Sequence, residues 1–501
     1  MSSSRDNFPD SVEGLPEAGR PEIVELADGD TFDLRIAPVA KRLGEHTVRM
    51  LGYNGSIPGP TLRIREGSEI EVRIENQGDL ADTVHWHGLR LENRYDGTHE
   101  TQRPLEPGET FVARIRCPDA GVYWYHPHVR EDYGQEMGLY GNLLVEPAAP
   151  NYWPPVHREV LITLDDVLLE DGRIAPFSPA ETTHAAMGRF GEVLLIGGET
   201  DLRLEAEHRE VVRFFLTNTA NTRVFRVAIP GTRMKHVGGD SGRVEHEELV
   251  EDVVLGPSER AAVDVLFEEP GDFVLEHRTP RRTHELARIM VAESNAVPNL
   301  EDAFSVLRTN EDMAAERERV RPYLEADPDK VVAFLAEMDM DRGDGHHQPD
   351  PGEAAHDHGD TQSAGIEWED DMPEMNRMTT PANMHWKIID RETSAENQDI
   401  DWHLRVGDQV KIRLLNEMGG DHPMHHPFHV HGAGRFLVLA RDGEPEPNLV
   451  WKDTVLVRAG QTVDILLEVT NPGRWMAHCH IAEHHESGMM FSFDVRASEA
   501  S

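Results

Sequence analysis

Apolar residues recur at every second position over one short run of this chain, and the run occurs three times. Residues 64–76 read IREGSEIEVRIEN and residues 404–416 read LRVGDQVKIRLLN. Each has a glycine, Gly67 or Gly407, then apolar residues at 70, 72 and 74 or at 410, 412 and 414, then a closing asparagine. Period-two alternation behind a turn predicts a strand with one buried face. A third copy, AEHREVVRFFLTN at 206–218, places Val212, Phe214 and Leu216 in the same positions. A second strand-like element follows each copy: GVYWYHPH from Gly121, GDFVLEHR from Gly271 and GRWMAHCH from Gly473. The fifth and seventh residues after the glycine are His126 and His128 in the first and His478 and His480 in the third. In the middle copy they are Glu276 and Arg278, and the counterpart of His85–Trp86–His87 reads Phe225–Arg226–Val227. The middle unit is therefore expected to keep the scaffold without the imidazoles.

These repeats divide the chain into a polar N-terminus (1–20) and three all-β sandwiches of short strands, at 21–149, 150–295 and 377–498. Between the second and third lies an insertion, 296–376, of different character. It opens with helix-like sequence, DMAAERERVRPYLEA and then PDKVVAFLAEM, broken at Asp327–Pro328. It ends in a polar tract, DRGDGHHQPDPGEAAHDHGDTQSAG, too hydrophilic to bury a core.

Composition narrows the function classes. The 501 residues carry 92 acidic against 49 basic side chains, a net charge of −43, and only six of the basic ones are lysine. Such a surface repels phosphate backbones and anionic lipid, which argues against nucleic acid or a membrane as partner. Self-repulsion on this scale is tolerable where salt screens it, so the balance points to a halophilic habitat. No apolar stretch approaches the length of a membrane span. The N-terminal MSSSRDNFPD has neither an apolar core nor twin arginines. Sequence alone therefore predicts a cytoplasmic location, with a secreted or periplasm-like one open if a leader was removed. Two cysteines, Cys117 and Cys479, cannot build a disulfide framework; Cys117 is expected to be a structural or free thiol. Oligomeric state is not legible.

The unusual residue is histidine, 28 in all. Four His-x-His pairs stand in the first and third units: His85/His87, His126/His128, His429/His431 and His478/His480. Alternate residues of a strand point to one face, so each pair presents two rings together. Eight convergent imidazoles would repel as cations and lose solvation if unpaired, which leaves metal-bound neutral rings as the consistent state. Imidazole suits copper, zinc or iron. Eight nitrogens exceed one ion and suit a cluster of three at the interface of the first and third units, with the middle unit as spacer. A second constellation, His426, Cys479, His484 and Met489, is the thiolate, two-imidazole and thioether set of a blue-copper site. His425 and His485 are adjacent competitors; the four-residue gap after Cys479 favours His484, and the motif HPFHVHG favours His426. Cys479 lies between His478 and His480, so the two metal centres are wired through single residues.

HWHG (85–88), HPH (126–128), HPFHVHG (426–432) and HCHIAEHHESGM (478–489) resemble the four copper motifs of the multicopper oxidases, in order. The likeness is to three-domain laccases and copper-efflux oxidases, and it leaves the insertion outside. It implies Greek-key cupredoxin (plastocyanin-like) domains and four copper ions: one type 1, one type 2 and a type 3 pair. By motif position, type 1 copper takes His426, Cys479, His484 and Met489, and type 2 takes His85 and His429. The type 3 pair takes His87, His126, His128, His431, His478 and His480. The implied reaction couples one-electron oxidation of a donor to four-electron reduction of dioxygen to water, with electrons leaving Cys479 through His478 and His480. The family's acidic residue after the first motif corresponds to Asp96, expected to assist proton delivery. A second acid, usual after the last type 1 histidine, is replaced here by His485, with Glu486 next.

The donor is a phenol or aromatic amine in the laccase-like reading, or a metal ion such as Cu(I). Met338, Met340, Met372, Met375, Met378 and Met384, with His346, His347, His356 and His358, supply soft ligands for the second, a dedicated Cu(I) oxidase. A non-catalytic copper buffer would not need cluster ligands shared between units or bracketing Cys479, and a nitrite-reducing cupredoxin protein would not need the third and fourth cluster pairs within one chain.

Overall fold

The computed structural model describes residues 8–338, 364–418 and 424–498. It is built from strands, and the three alternating runs become Glu69–Asn76, Val211–Asn218 and Gln409–Asn416. Their apolar positions are buried: Ile70, Val72 and Ile74; Val212, Phe214 and Leu216; Val410, Ile412 and Leu414. Each run sits within one sheet of a two-sheet sandwich, and the strand carrying the second repeat sits within the other. Three large apolar cores fill the three sandwiches.

The closing asparagine has a structural task that repeats three times. The Asn76 side-chain amide donates to the carbonyls of Leu80 and Leu105, both at 2.7 Å, and its Oδ1 accepts from Gly78 N–H. Asn218 does the same with Arg223, Leu255 and Ala220, and Asn416 with Met424, Val457 and Met418. A buried amide satisfied on both sides fixes the turn that leads into the next strand. In the outer sandwiches that next strand carries histidines, at His85–His87 and His426–Val430.

Those strands pair antiparallel with the second-repeat strands. His85 lies opposite His126, and His87 opposite Trp124. In the third sandwich His429 lies opposite His478, and Phe428 opposite Cys479. In the middle sandwich Val227 lies opposite His277 and Ala228 opposite Glu276, so the strand pairing persists in a shifted register, with Ala228 rather than Phe225 at the place of His85, and the ligand pattern does not.

One expectation is corrected. The segment PDKVVAFLAEM is not helical: Lys330–Met338 is a strand, parallel to Gln409–Asn416 and antiparallel to Met384–Asp390. Val332, Ala333 and Phe334 are fully buried, with Val332 and Phe334 in the third core. The centre of the strand, Val332–Phe334, is buried on both faces, so the run lacks the alternation that identifies a half-exposed strand. The third sandwich thus begins inside the expected insertion. The first helix-like stretch does form a helix, Glu311–Leu324, whose Met313 and Val320 pack on Leu437, Leu439 and Trp451 of that sandwich. Most of the polar tract, with Met340, His346, His347, His356 and His358, lies outside the described residues.

Candidate metal centre

The eight paired histidines converge between the first and third sandwiches, each of them 0–2 % exposed. The rings of His128, His431 and His478 stand 5.0–5.4 Å apart, centre to centre. Those of His87, His126 and His480 stand 4.9–5.7 Å apart. His85 and His429 lie 5.8 Å from each other and adjoin both trios. The groups overlap, since donor atoms of His85, His87 and His126, and of His85, His429 and His431, also fall within 4.8 Å of one another. The eight rings form one continuous cluster.

Hydrogen bonds decide which ring nitrogen is bare. His85 Nδ1–H donates to the carbonyl of Asp96 at 2.6 Å, His126 Nδ1–H to that of Pro127 at 2.8 Å and His429 Nδ1–H to that of Asp453 at 2.9 Å. His478 Nδ1–H donates to the carbonyl of Cys479 at 2.9 Å, and His431 Nδ1–H to the Asp96 carboxylate at 2.9 Å. His87 is turned the other way, its Nε2–H meeting Asp453 Oδ1 at 2.9 Å. Nε2 of His85, His126 and His429, and Nδ1 of His87, are then buried lone pairs with no partner. His431 Nε2 faces His478 Nε2 at 3.0 Å and His128 Nε2 at 3.3 Å. Lone pairs aimed at each other repel unless a cation lies among them, and ligating histidines characteristically bind a carbonyl or carboxylate through the other nitrogen. Burial lowers the basicity of all eight rings, His85 to about 4, so they are neutral and ready to ligate. The residues present fit copper.

Gly97 helps to aim the Asp96 carbonyl at His85. It sits at φ +82°, and a Cβ there would lie 2.0 Å from the carbonyl oxygen of Val84.

The second constellation draws His426 from the strand His426–Val430, Cys479 from the strand Gly473–Cys479, His484 from the helix Ala482–Glu486 and Met489 from the turn after it. Cys479 Sγ lies 3.4 Å from His426 Nδ1 and 3.7 Å from His484 Nδ1, all three buried. Burial pushes the Cys479 thiol up, so a thiolate needs a cation beside it. Met489 is fully buried in the same core, and its carbonyl accepts the Cys479 N–H at 3.1 Å. Trp386 covers His484 at 3.9 Å and His426 at 5.0 Å between ring centres, and Phe334 stands 5.5 Å from His426. His425 faces away, accepting the Glu367 N–H at 3.2 Å. His485 turns from Cys479 to the cluster side, 4.4 Å from the His478 ring with its Nδ1 3.3 Å from Glu131. Cys117 joins no ligand group among those described; it lies in the first core, its thiol pushed up by burial to about 12.

Two residues were missed in the sequence. Glu131, three positions after His128, lies 3.2 Å from His128 Nε2; the i, i+3 spacing was a signal. Asp453 holds His87 across 366 positions of sequence, and no local pattern announces it. Of the thioethers, Met384 is buried in the third core, whereas Met338, Met372, Met375 and Met378 are exposed.

Two sequence-family matches, both described as multicopper oxidase, cover residues 38–150 and 367–499. The chain is 27% identical over 516 residues to the multicopper oxidase MmcO of Mycobacterium tuberculosis, covering 95% of this chain and 89% of that protein. It is 25% identical over 457 residues to the multicopper oxidase mco of Staphylococcus epidermidis, covering 89% and 83% respectively. The crystal structure of a multi-copper oxidase from Pseudomonas thermotolerans superposes with a TM-score of 0.68 at 25% identity, covering 94% of this chain and all of that one.

Proposed function

The chain belongs to the multicopper oxidase family and is a copper-dependent oxidoreductase, and from that premise we propose that it holds four copper ions in the two centres described above. Type 1 copper takes His426, Cys479, His484 and Met489. Type 2 takes His85 and His429, and the type 3 pair takes the trios His128/His431/His478 and His87/His126/His480. Bound there, copper supplies one-electron redox chemistry, so that four electrons from a donor reduce dioxygen to two waters.

The protein's own residues do the rest. Backbone carbonyls and the carboxylates of Asp96 and Asp453 fix the ring orientations before metal arrives, and complete burial excludes bulk water. Cys479 is peptide-bonded to both His478 and His480, which gives the electron a through-bond route from one centre to the other. Asp96 is placed to orient His431 and to pass a proton towards oxygen. The observation that carries the reading is the cage of bare, buried nitrogens one residue from a thiol flanked by two imidazoles.

Dioxygen uptake with a chromogenic donor tests it. An oxidase consumes oxygen in proportion to donor, whereas a copper buffer consumes none and a reductase requires nitrite. Cys479→Ser should abolish both the intense blue colour and donor oxidation; full activity in that variant would refute the type 1 assignment.

One observation favours a metal ion over a bulky phenol as donor. His484 lies beneath Trp386 and residues 184–188, which are tied to 376–379 by Asn376 Nδ2 to Gly188 O, by Met187 N to Asn376 Oδ1 and by Ala186 N to Thr379 Oγ1. That layer leaves no imidazole edge open to a flat ring, yet it carries Met372, Met375 and Met378 at 36, 48 and 68 % exposure. Exposed thioethers suit Cu(I). Rates with Cu(I) and with a phenol, measured side by side, separate the two donor classes.

A further inference from the structure

The middle sandwich supplies no copper ligand, but one of its side chains reaches the centre. Arg260 opens the strand Arg260–Leu266 and is 1 % exposed. Its guanidinium forms a fork on Asp453 of the third sandwich, Nη1 to Oδ1 at 2.7 Å and Nη2 to Oδ2 at 2.5 Å. Its Nε donates to the carbonyl of Val122 at 2.7 Å, on the first-sandwich strand that ends in His126. Nη1 also meets Ser258 O at 2.9 Å, and the Arg260 N–H is held by Asp240 at 2.8 Å. One residue thus bonds all three sandwiches.

Asp453 is the acceptor that His87 needs. Its Oδ1 takes His87 Nε2–H, and its backbone carbonyl takes His429 Nδ1–H. Thr454 Oγ1, donating to Asp453 Oδ1 at 2.9 Å, stands 3.0 Å from His87 Nε2 and 3.1 Å from His429 Nδ1. Asp453 falls within metal-binding distance of both rings, yet its oxygens are occupied by the fork, by His87 and by Thr454. It therefore serves the ligands and is not one of them. The fit is close: Gly88, directly after His87, sits at φ +84°, and a Cβ there would lie 2.3 Å from Asp453 Oδ2 and 2.9 Å from Arg260 Nη2.

We propose that Arg260 is a positioning residue of the copper cluster: its fork fixes the Asp453 carboxylate, and through it the orientation of His87 directly and of His429 by way of Thr454 Oγ1, one imidazole from each outer sandwich. The inference rests on the four-copper reading above. A planar fork is needed because it binds both carboxylate oxygens at once, leaving Asp453 a single rotamer; an ammonium is a point charge that holds one.

The test uses the copper-loaded full chain and Arg260→Met and Arg260→Lys variants. Retention of copper against a chelator is followed together with the type 2 paramagnetic resonance signal and the type 1 blue absorption. The expected result is cluster copper held about 10- to 100-fold more weakly in Arg260→Met, with an altered type 2 signal and unchanged type 1 colour. Arg260→Lys, which keeps the charge and loses the fork, should fold and show the altered signal even if Arg260→Met does not fold. Either folded variant with copper retention and a type 2 signal identical to the unmodified protein overturns the proposal. So does equal loss at both centres, which would mark a general structural role. Absence of cluster copper from the unmodified protein would instead overturn the four-copper reading.

Discussion

At the scale of single residues, the chemistry depends on which nitrogen of each imidazole is occupied. Six of the eight rings are settled by a neighbour, and Asp96 settles two of them, His85 through its carbonyl and His431 through its carboxylate. Burial first, then Glu100, raises the Asp96 carboxyl well above the ordinary aspartate range. Its two proposed tasks, orienting His431 and passing a proton, can be separated. Asp96→Asn keeps an oxygen for His431 Nδ1–H and loses the titratable group; Asp96→Ala loses both. If proton transfer dominates, both variants should turn over about 10- to 100-fold more slowly with dioxygen. Reduction of the type 1 centre by donor without oxygen, followed by stopped-flow bleaching of the blue band, should change little. Normal turnover in Asp96→Asn would assign Asp96 to orientation alone.

At the scale of elements, repetition made much of the architecture legible. Gly67, Ile70, Val72, Ile74 and Asn76 announce a strand and a corner, and the same signature returns at 407–416, so the histidine strands could be placed before any coordinates. The strand Lys330–Met338 escaped because VVAFLA is uniformly apolar, and periodicity cannot separate a buried strand from a short buried helix. The candidate metal centre was legible to the extent that its proposed ligands recur at fixed spacing. Arg260 and Asp453 were not, because their roles arise from three sandwiches meeting and leave no mark in local sequence; Glu131 left only its i, i+3 spacing from His128. The corrected strand also forms a wall of the proposed type 1 centre, with Phe334 5.5 Å from His426 and 5.6 Å from Phe428. Phe334→Ala should therefore destabilise the fold by about 3–5 kcal/mol in denaturant unfolding and perturb the blue band. An exposed residue on a solvated insertion would cost within about 0.5 kcal/mol.

At the scale of the whole molecule, buried titratable groups and net charge set the stability profile. Burial, followed by nearby arginines, drives His184 and His277 down to about 3, and burial drives His425 to about 4. A histidine lowered on folding gives stability that is complete above its unfolded value of about 6.5 and is lost as pH falls. In the metal-free chain the cluster imidazoles add to this acid limb. Burial raises Glu136 and Glu367 to about 7 and Glu483 to about 8. A carboxyl raised on folding gives stability that is complete below its unfolded value and is lost as pH climbs through the folded one. Metal-free protein should therefore melt highest near about pH 6.5–7 and lose stability in both directions. We further propose that the −43 charge is suited to concentrated salt, so that the whole curve rises as salt screens the repulsion. Thermal melts from about pH 4 to about pH 9 at several salt concentrations check both limbs; a curve flat in pH, or one lowered by salt, would contradict the account. The division of the cluster between two sandwiches far apart along the polypeptide has a consequence for biogenesis. During synthesis the early histidines emerge long before their counterparts, so metallation must await the strand Gly473–Cys479. A ribosome that stops short of that strand releases a product incapable of oxygen chemistry, however well its earlier portions have folded.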